Sequence, residues 1–388
     1  MLSRNLFAAL AILLVTHTAE AATIHVNAGT VACNSTSGVG TLASPYASLY
    51  YAMTQGTLAC GDTVELHANG AGIFRPSYTA GFPGSAATQA ERYANCDANE
   101  IDDPGGDGDH TVLPIFKDCS AANPITIQNY CTSPGVCDSV VLDSTNETPT
   151  WSVCTGTSPN ADCCGTAGLN LSSVAATFCT TNLNGSSANT AQLWRDPSGV
   201  TDKGTHLMWW ADDPLNEHSQ TCADHDSLIA DTFFQCNSGV LTIARMADGL
   251  SPSTHSIYIA SEQGDGGGGT ASIYAANGAT LRKNPLGGTL NIRGGQHAIT
   301  ISGDSQNIII DGVNIFAAGA NDYGQCVRVG DGDHITIQNS NCHDVMGEGL
   351  AAYGGSHATG VQLTDINLIG NTVSATGLAW NSGSGTRI

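Results

Sequence analysis

Lysine is nearly missing from this chain. Its 388 residues include only Lys117, Lys203 and Lys283, and 12 basic side chains face 34 acidic ones. A formal net charge of −22 repels nucleic acid and anionic membrane surfaces at long range, so neither is an expected partner. A polyanionic substrate would need calcium or a local cluster of basic groups. Charged residues of both signs make up only 12% of the chain while glycine reaches 46, which is poor material for helices and suits short strands joined by turns. No long segment outside the leader has helical periodicity. No Cys-x-x-Cys pair is present among the 14 cysteines, which argues against a thiolate metal cluster. The apolar run at residues 6–15 is too short to span a bilayer, so no membrane insertion is expected.

That run belongs to a leader. Arg4 precedes it, and Ala19-Glu20-Ala21 is a small-x-small cleavage signature. Residues 1–21 are therefore read as a secretory signal removed after about Ala21, giving an extracellular or periplasmic protein. An even cysteine count then implies disulfides. Twelve of the cysteines fall between Cys33 and Cys236. Cys33 with Cys60, which flank the first ordered segment, is the expected first pair.

The last third repeats itself. Ile308-Ile309-Ile310-Asp311-Gly312-Val313-Asn314-Ile315 is echoed by Ile335-Thr336-Ile337-Gln338-Asn339-Ser340-Asn341-Cys342, and again by Ile366-Asn367-Leu368-Ile369-Gly370-Asn371-Thr372-Val373. Between the copies runs a second series of apolar pairs: Ile299/Ile301, Val327/Val329, Leu350/Ala352 and Leu378/Trp380. Their starts recur about every 23 to 28 residues. One such segment cannot bury its apolar face alone, whereas stacked copies can, and the strand chemistry predicts a β-solenoid. Asn314 and Asn341 fall at equivalent positions, as a ladder of stacked amides would require.

The N-terminal part carries a resemblance. Gly40-Thr41, Ser44-Pro45-Tyr46, Ser48-Leu49 with Ala52-Met53, and Gly61-Asp62-Thr63-Val64-Glu65-Leu66 resemble the opening of right-handed parallel β-helix proteins of the pectate-lyase-like superfamily (pectin lyase fold). Residues 123–129 and 140–143 continue the likeness as early coil strands, 239–245 resembles a segment common in secreted lyase-like β-helix proteins, and 256–260 re-enters the coils. The resemblance implies one all-β, right-handed parallel β-helix over residues 22–388, built of repeated coils with a short N-terminal capping helix. Loop-rich, Cys-rich insertions are expected at about 80–122 and 151–235, and regular coils at 290–388. The chain ends within a few residues of Trp380 with no polar cap, so the sequence reads as a truncated fragment or as an end covered by a partner or by self-association.

Alternation places Val327 and Val329 inward and Arg328 outward, with Thr300 and Ala351 as its neighbours in the stack. The family implication is a carbohydrate-active protein with its site on such a face and the loops beside it. Cleavage of a uronate glycan by β-elimination needs a group that neutralises the carboxylate and a base for the C5 proton. Arg328 with His343 or Tyr323 can supply these, with Asp344 and Glu348 as substrate contacts. Asp322, Asp331 and Asp333 form a candidate calcium set. Two alternatives stay open. One is a non-catalytic adhesive solenoid that binds a polysaccharide or cell-surface glycan. The other is a polysaccharide hydrolase recruiting Asp331, Asp333 and Glu348. His334 reads as a turn residue, and residues 102–109 as a solvated acidic loop.

Overall fold

The computed structural model describes residues 21–32, 35–54, 57–77, 111–144 and 269–374, short of 296, 319–323, 346 and 354–362. Between 145 and 268, and at 386–387, it describes the backbone of short strands alone. The leader, Asp322 and Tyr323 lie outside the described residues.

The coils stack into three parallel sheets, and each coil after the first adds one strand to each of them. The first sheet stacks Thr23–Asn27, Thr63–His67, Ile125–Asn129, Asn277–Arg282, Ser305–Asp311, Gly332–Gln338 and Thr364–Ile369. The second follows with Gly29–Ala32, Ile73–Ser77, Ser139–Asp143, Thr289–Arg293, Asn314–Phe316, Asn341–His343 and Thr372–Ser374. The third has six strands, Leu113–Ile115, Gly269–Tyr274, His297–Ser302, Val327–Val329, Leu350–Ala352 and Thr386–Arg387. Among the described residues the chain is an all-β parallel solenoid whose first and second sheets each hold seven strands.

The register explains why these residues choose this fold. Ile24, Val64, Ile127, Leu281, Ile310, Ile337 and Leu368 form one unbroken inward column of the first sheet. Phe74, Leu142, Ile292, Ile315, Cys342 and Val373 do the same for the second. Leu113, Ala271, Ile299, Val327 and Leu350 serve the third. Each apolar side chain in these columns therefore meets other apolar side chains in the adjoining coils, so the repeat in sequence becomes a continuous core. The asparagine ladder is present as well. Asn341 Nδ2 donates to Asn314 Oδ1 at 2.8 Å and Asn314 Nδ2 to Asn291 Oδ1 at 3.1 Å.

One column carries left-handed backbone. Gly278, Asn307, His334 and Asp365 occupy corresponding positions in successive first-sheet strands, with φ of 64°, 54°, 56° and 53°. Gly, Asn, His and Asp are residue types that tolerate this region, which accounts for a histidine at 334 in a bulge rather than in a groove.

In the first coil, the segment where a third-sheet strand would sit holds a helix, Leu49–Thr54, whose Leu49, Tyr50 and Ala52 are buried. The preceding segment covers the outer edge of the first strand. His25 N donates to Gly40 O, Tyr46 N to His25 O, and Asn27 N to Tyr46 O, all at 2.9 Å. That edge would otherwise offer unpaired groups to another chain. Asp62 ties the start of the coil together, accepting from Ala22 N at 2.8 Å and Ala59 N at 2.7 Å. Gly61 precedes it at φ 92°, where a Cβ would lie 2.4 Å from Asn123 Oδ1.

Three expectations are corrected. Cys60 is bonded to Cys119, not to Cys33, because Cys119 sits just ahead of the coil that stacks on Cys60. Leu241–Arg245 and Ile257–Ala260 are not coil strands. The first pairs antiparallel with Thr177–Thr181 and Thr232–Cys236, and the second with Gln192–Arg195. Their alternation is real, but it serves separate, mainly antiparallel sheets inside the second insertion, which therefore extends to residue 268. The coils accordingly resume at Gly269, ahead of residue 290, and Leu113–Ile115 within the first expected insertion is a coil strand. Two further disulfides, Cys131–Cys137 and Cys326–Cys342, lie among the described residues. No helix among those residues is long and apolar enough to cross a membrane.

Candidate functional site

Arg328 leaves the third sheet between the buried Val327 and Val329, flanked in register by Thr300 and Ala351. Its guanidinium Nη1 donates to His297 Nε2 at 2.9 Å. Its terminal carbon lies 5.7 Å from the centre of the Tyr353 ring, within cation–π range. One coil connects to the next through Gln325, whose Nε2 donates to Glu348 Oε2 at 2.6 Å and to Tyr353 Oη at 3.1 Å. His297, Gln325 and Glu348 are all at most 2% exposed. They stand two residues before Ile299, Val327 and Leu350, so they form a buried polar column where the chain turns into the third sheet. A buried carboxylate needs donors, and Gln325 supplies one to Glu348. The result is a chain of contacts from Glu348 through Gln325 to Tyr353, beside Arg328 on its histidine.

The sequence-expected residues distribute unevenly. Arg328 and Glu348 join this cluster. His343 and Asp344 pair with each other, Nδ1 to Oδ2 at 2.7 Å, at the end of a second-sheet strand, and His343 stacks on Phe316 with ring centres 5.3 Å apart. Their contacts are thus on a different sheet from those of Arg328. The buried Cys326–Cys342 disulfide ties the residue before Val327 to the residue before His343. Asp331 is buried, whereas Asp333 accepts a hydrogen bond from Thr364 and contacts His334 Nδ1 at 2.8 Å. Those contacts hold the Asp333 carboxyl below its usual value, with the Thr364 hydrogen bond the largest cause. Asp331 and Asp333 belong to no group of three metal-capable side chains among the described residues, and Asp322, the third member of the expected calcium set, lies outside them.

Two members of the cluster, His297 and Tyr353, escaped the sequence reading. A signal for the first was present. The position two residues before each third-sheet apolar pair is polar in successive coils, as His297, Gln325 and Glu348. Tyr353 follows its strand directly and has no such marker.

The His67 titration is displaced as well. It is pushed below the usual histidine value by burial, then by His25, with Asp138 opposing.

No protein-family model matches the chain. No curated protein matches it in sequence. One solved structure with a similar course is described as the complex of XylC with xylose, at TM-score 0.39 and 11% identity, covering 85% of this chain and 60% of that one. The chain thus spans less than two thirds of the length of that structure. A likeness of this size carries no argument about activity.

Proposed function

We propose that the protein is a secreted, right-handed parallel β-helix of the pectate-lyase-like kind. We further propose that the Arg328 cluster is the site of a polysaccharide lyase acting on uronate-containing glycans. The observation that carries this reading is an outward arginine seated on a histidine and beside a tyrosine, with a buried Glu348–Gln325 pair behind them.

In this reading Arg328 neutralises the substrate carboxylate and so acidifies the C5 proton. Tyr353, ionised, takes that proton at its phenolate oxygen, where the Gln325 amide and the nearby guanidinium stabilise negative charge. The C5–H electrons form the C4–C5 double bond as the C4–O bond breaks, and the departing sugar oxygen takes a proton from solvent water. His297 orients the guanidinium, and Glu348 fixes Gln325, so both are positioning residues. Asp331 and Asp333 are given no part in this chemistry.

The test is formation of unsaturated product, read by absorbance, on pectic, alginate and glycosaminoglycan substrates with and without Ca²⁺. Tyr353→Phe is expected to lower the rate by about 10²- to 10⁴-fold, and Arg328→Ala to abolish it. Reducing sugar without unsaturated product would instead assign a hydrolase. The outward threonine column of the first sheet, Thr63, Thr126 and Thr280 in register, favours a second reading as a glycan-binding adhesive solenoid. Tight glycan binding that survives Arg328→Ala, with no product on any substrate, would establish it.

A further inference from the structure

Far from the Arg328 cluster, the outward face of the first sheet begins with three convergent side chains. His25 lies in register with Glu65 on the next coil, and Asn27 with His67, so the two coils bring two imidazoles and a carboxylate to one point. Their ligand atoms all lie within 4.8 Å of one another. His25 Nδ1 is 2.8 Å from His67 Nε2 and 3.6 Å from Glu65 Oε2.

His25 and His67 share one hydrogen bond, which uses one nitrogen of each ring, and Glu65 Oε2 at 3.6 Å lies beyond hydrogen-bond distance of His25 Nδ1. Three ligand atoms thus face one point with a single hydrogen bond among them. One divalent cation engages all three groups together. Two nitrogens at about 2.0–2.1 Å from a tetrahedral zinc lie roughly 3.3 Å apart, so the 2.8 Å pair has to open only slightly.

The surroundings are those of a supported metal centre. The Tyr130 ring stacks on His67 at 3.9 Å between centres and meets His25 edge-on at 5.9 Å. Gln128 Nε2 donates to the second Glu65 oxygen at 3.3 Å, and Arg282 Nε donates to Gln128 Oε1 at 3.0 Å, which fixes the amide's orientation. His25 and Glu65 side chains are only 11% and 15% exposed.

We infer that His25, Glu65 and His67 bind a divalent transition metal of the zinc class, which clamps the first coil onto the second. Two imidazoles select zinc, cobalt, nickel or copper over calcium and magnesium, which prefer all-oxygen sites. Three protein ligands leave a coordination position for water.

The experiment uses the tag-free full chain, stripped with a chelator and desalted, with Zn²⁺ and Co²⁺ as probes. One zinc per chain by elemental analysis, a zinc-dependent rise in Tm, and a visible cobalt band are expected, none of them reproduced by Ca²⁺. His67→Gln and Glu65→Gln should lose the cobalt band and the Tm rise. Gln128→Ala, which touches no metal, should weaken zinc binding by about 10-fold. Circular dichroism of each variant separates loss of the site from loss of the fold. A folded wild-type chain that takes up neither metal stoichiometrically overturns the inference. So does uptake unchanged in both His67→Gln and Glu65→Gln.

Discussion

The coils at residues 269–374 and those at residues 21–144 follow the same three-sheet plan and are held by different means. The later coils rely mainly on repetition, with the Cys326–Cys342 disulfide as their one staple among the described residues. Ile308, Ile335 and Ile366 stack, as do Ile310, Ile337 and Leu368, and the asparagine ladder ties their corners. The earlier coils use individual devices. Cys60–Cys119 and Cys131–Cys137 staple them, and Asp62 gathers two backbone donors. Asn129 is fully buried inside the stack, where its Oδ1 accepts from Asn284 N at 2.7 Å and its Nδ2 donates to Asp138 O at 2.8 Å. Where neighbours are alike, one rule serves every coil. Where an insertion or a helix interrupts the stack, each junction needs its own solution.

Substitutions can break that contrast. The largest effect is expected at the junction of the two regions, where Arg293 Nη2 meets Asp143 Oδ2 at 2.9 Å with both side chains almost wholly buried. Asp143→Asn breaks this buried ion pair and should cost about 3–5 kcal/mol in denaturant unfolding. Within the repetitive region, Ile310→Ala opens a cavity in the apolar column at a cost of about 2–5 kcal/mol. If the Ile310 loss equals or exceeds the Asp143 loss, the core columns and not the junction limit stability.

The smallest effect is at the surface. Because the fold lowers the Asp333 pKa, this carboxylate contributes stability above its ordinary value of 3.8. That contribution is lost as pH falls below 3.8 through the lower folded-state value. The stability gap between wild type and Asp333→Asn should therefore be open near neutral pH and narrow in acid, as denaturant midpoints at several pH values would record.

The same contrast governs what could be read from sequence. Ile308, Ile335 and Ile366 announce their stacking because the period is visible, and Arg328 announces its outward face because Val327 and Val329 flank it. Leu241–Arg245 has the same local alternation as a coil strand, yet its partners lie in antiparallel neighbours that alternation cannot name. The Cys60 partner was equally hidden, since nothing local distinguishes Cys119 from Cys33. In the candidate site, Arg328 and Glu348 were accessible through the repeat. His297 and Tyr353 join them only through contacts between coils, and sequence neighbours do not encode such contacts. His25 comes from one coil and Glu65 and His67 from the next, and they converge only once the register of those two strands is known.

The neck of the second insertion has a consequence for how such a chain can change over generations. The path leaves the second sheet after Asp143 and returns at Gly269, and Ser144 Oγ and Thr270 Oγ1 stand 2.6 Å apart. Both are fastened to Arg293 O, by Ser144 N at 3.2 Å and Thr270 Oγ1 at 2.9 Å. The two ends of more than a hundred residues thus meet at a single peptide group, so the coil continues as if they were adjacent. Lengthening a loop whose ends already touch costs only about 0.6 kcal/mol per doubling. Insertions of different length and cysteine content can be exchanged at this point while the stack beneath keeps its register, which lets the decoration and the scaffold evolve at separate rates.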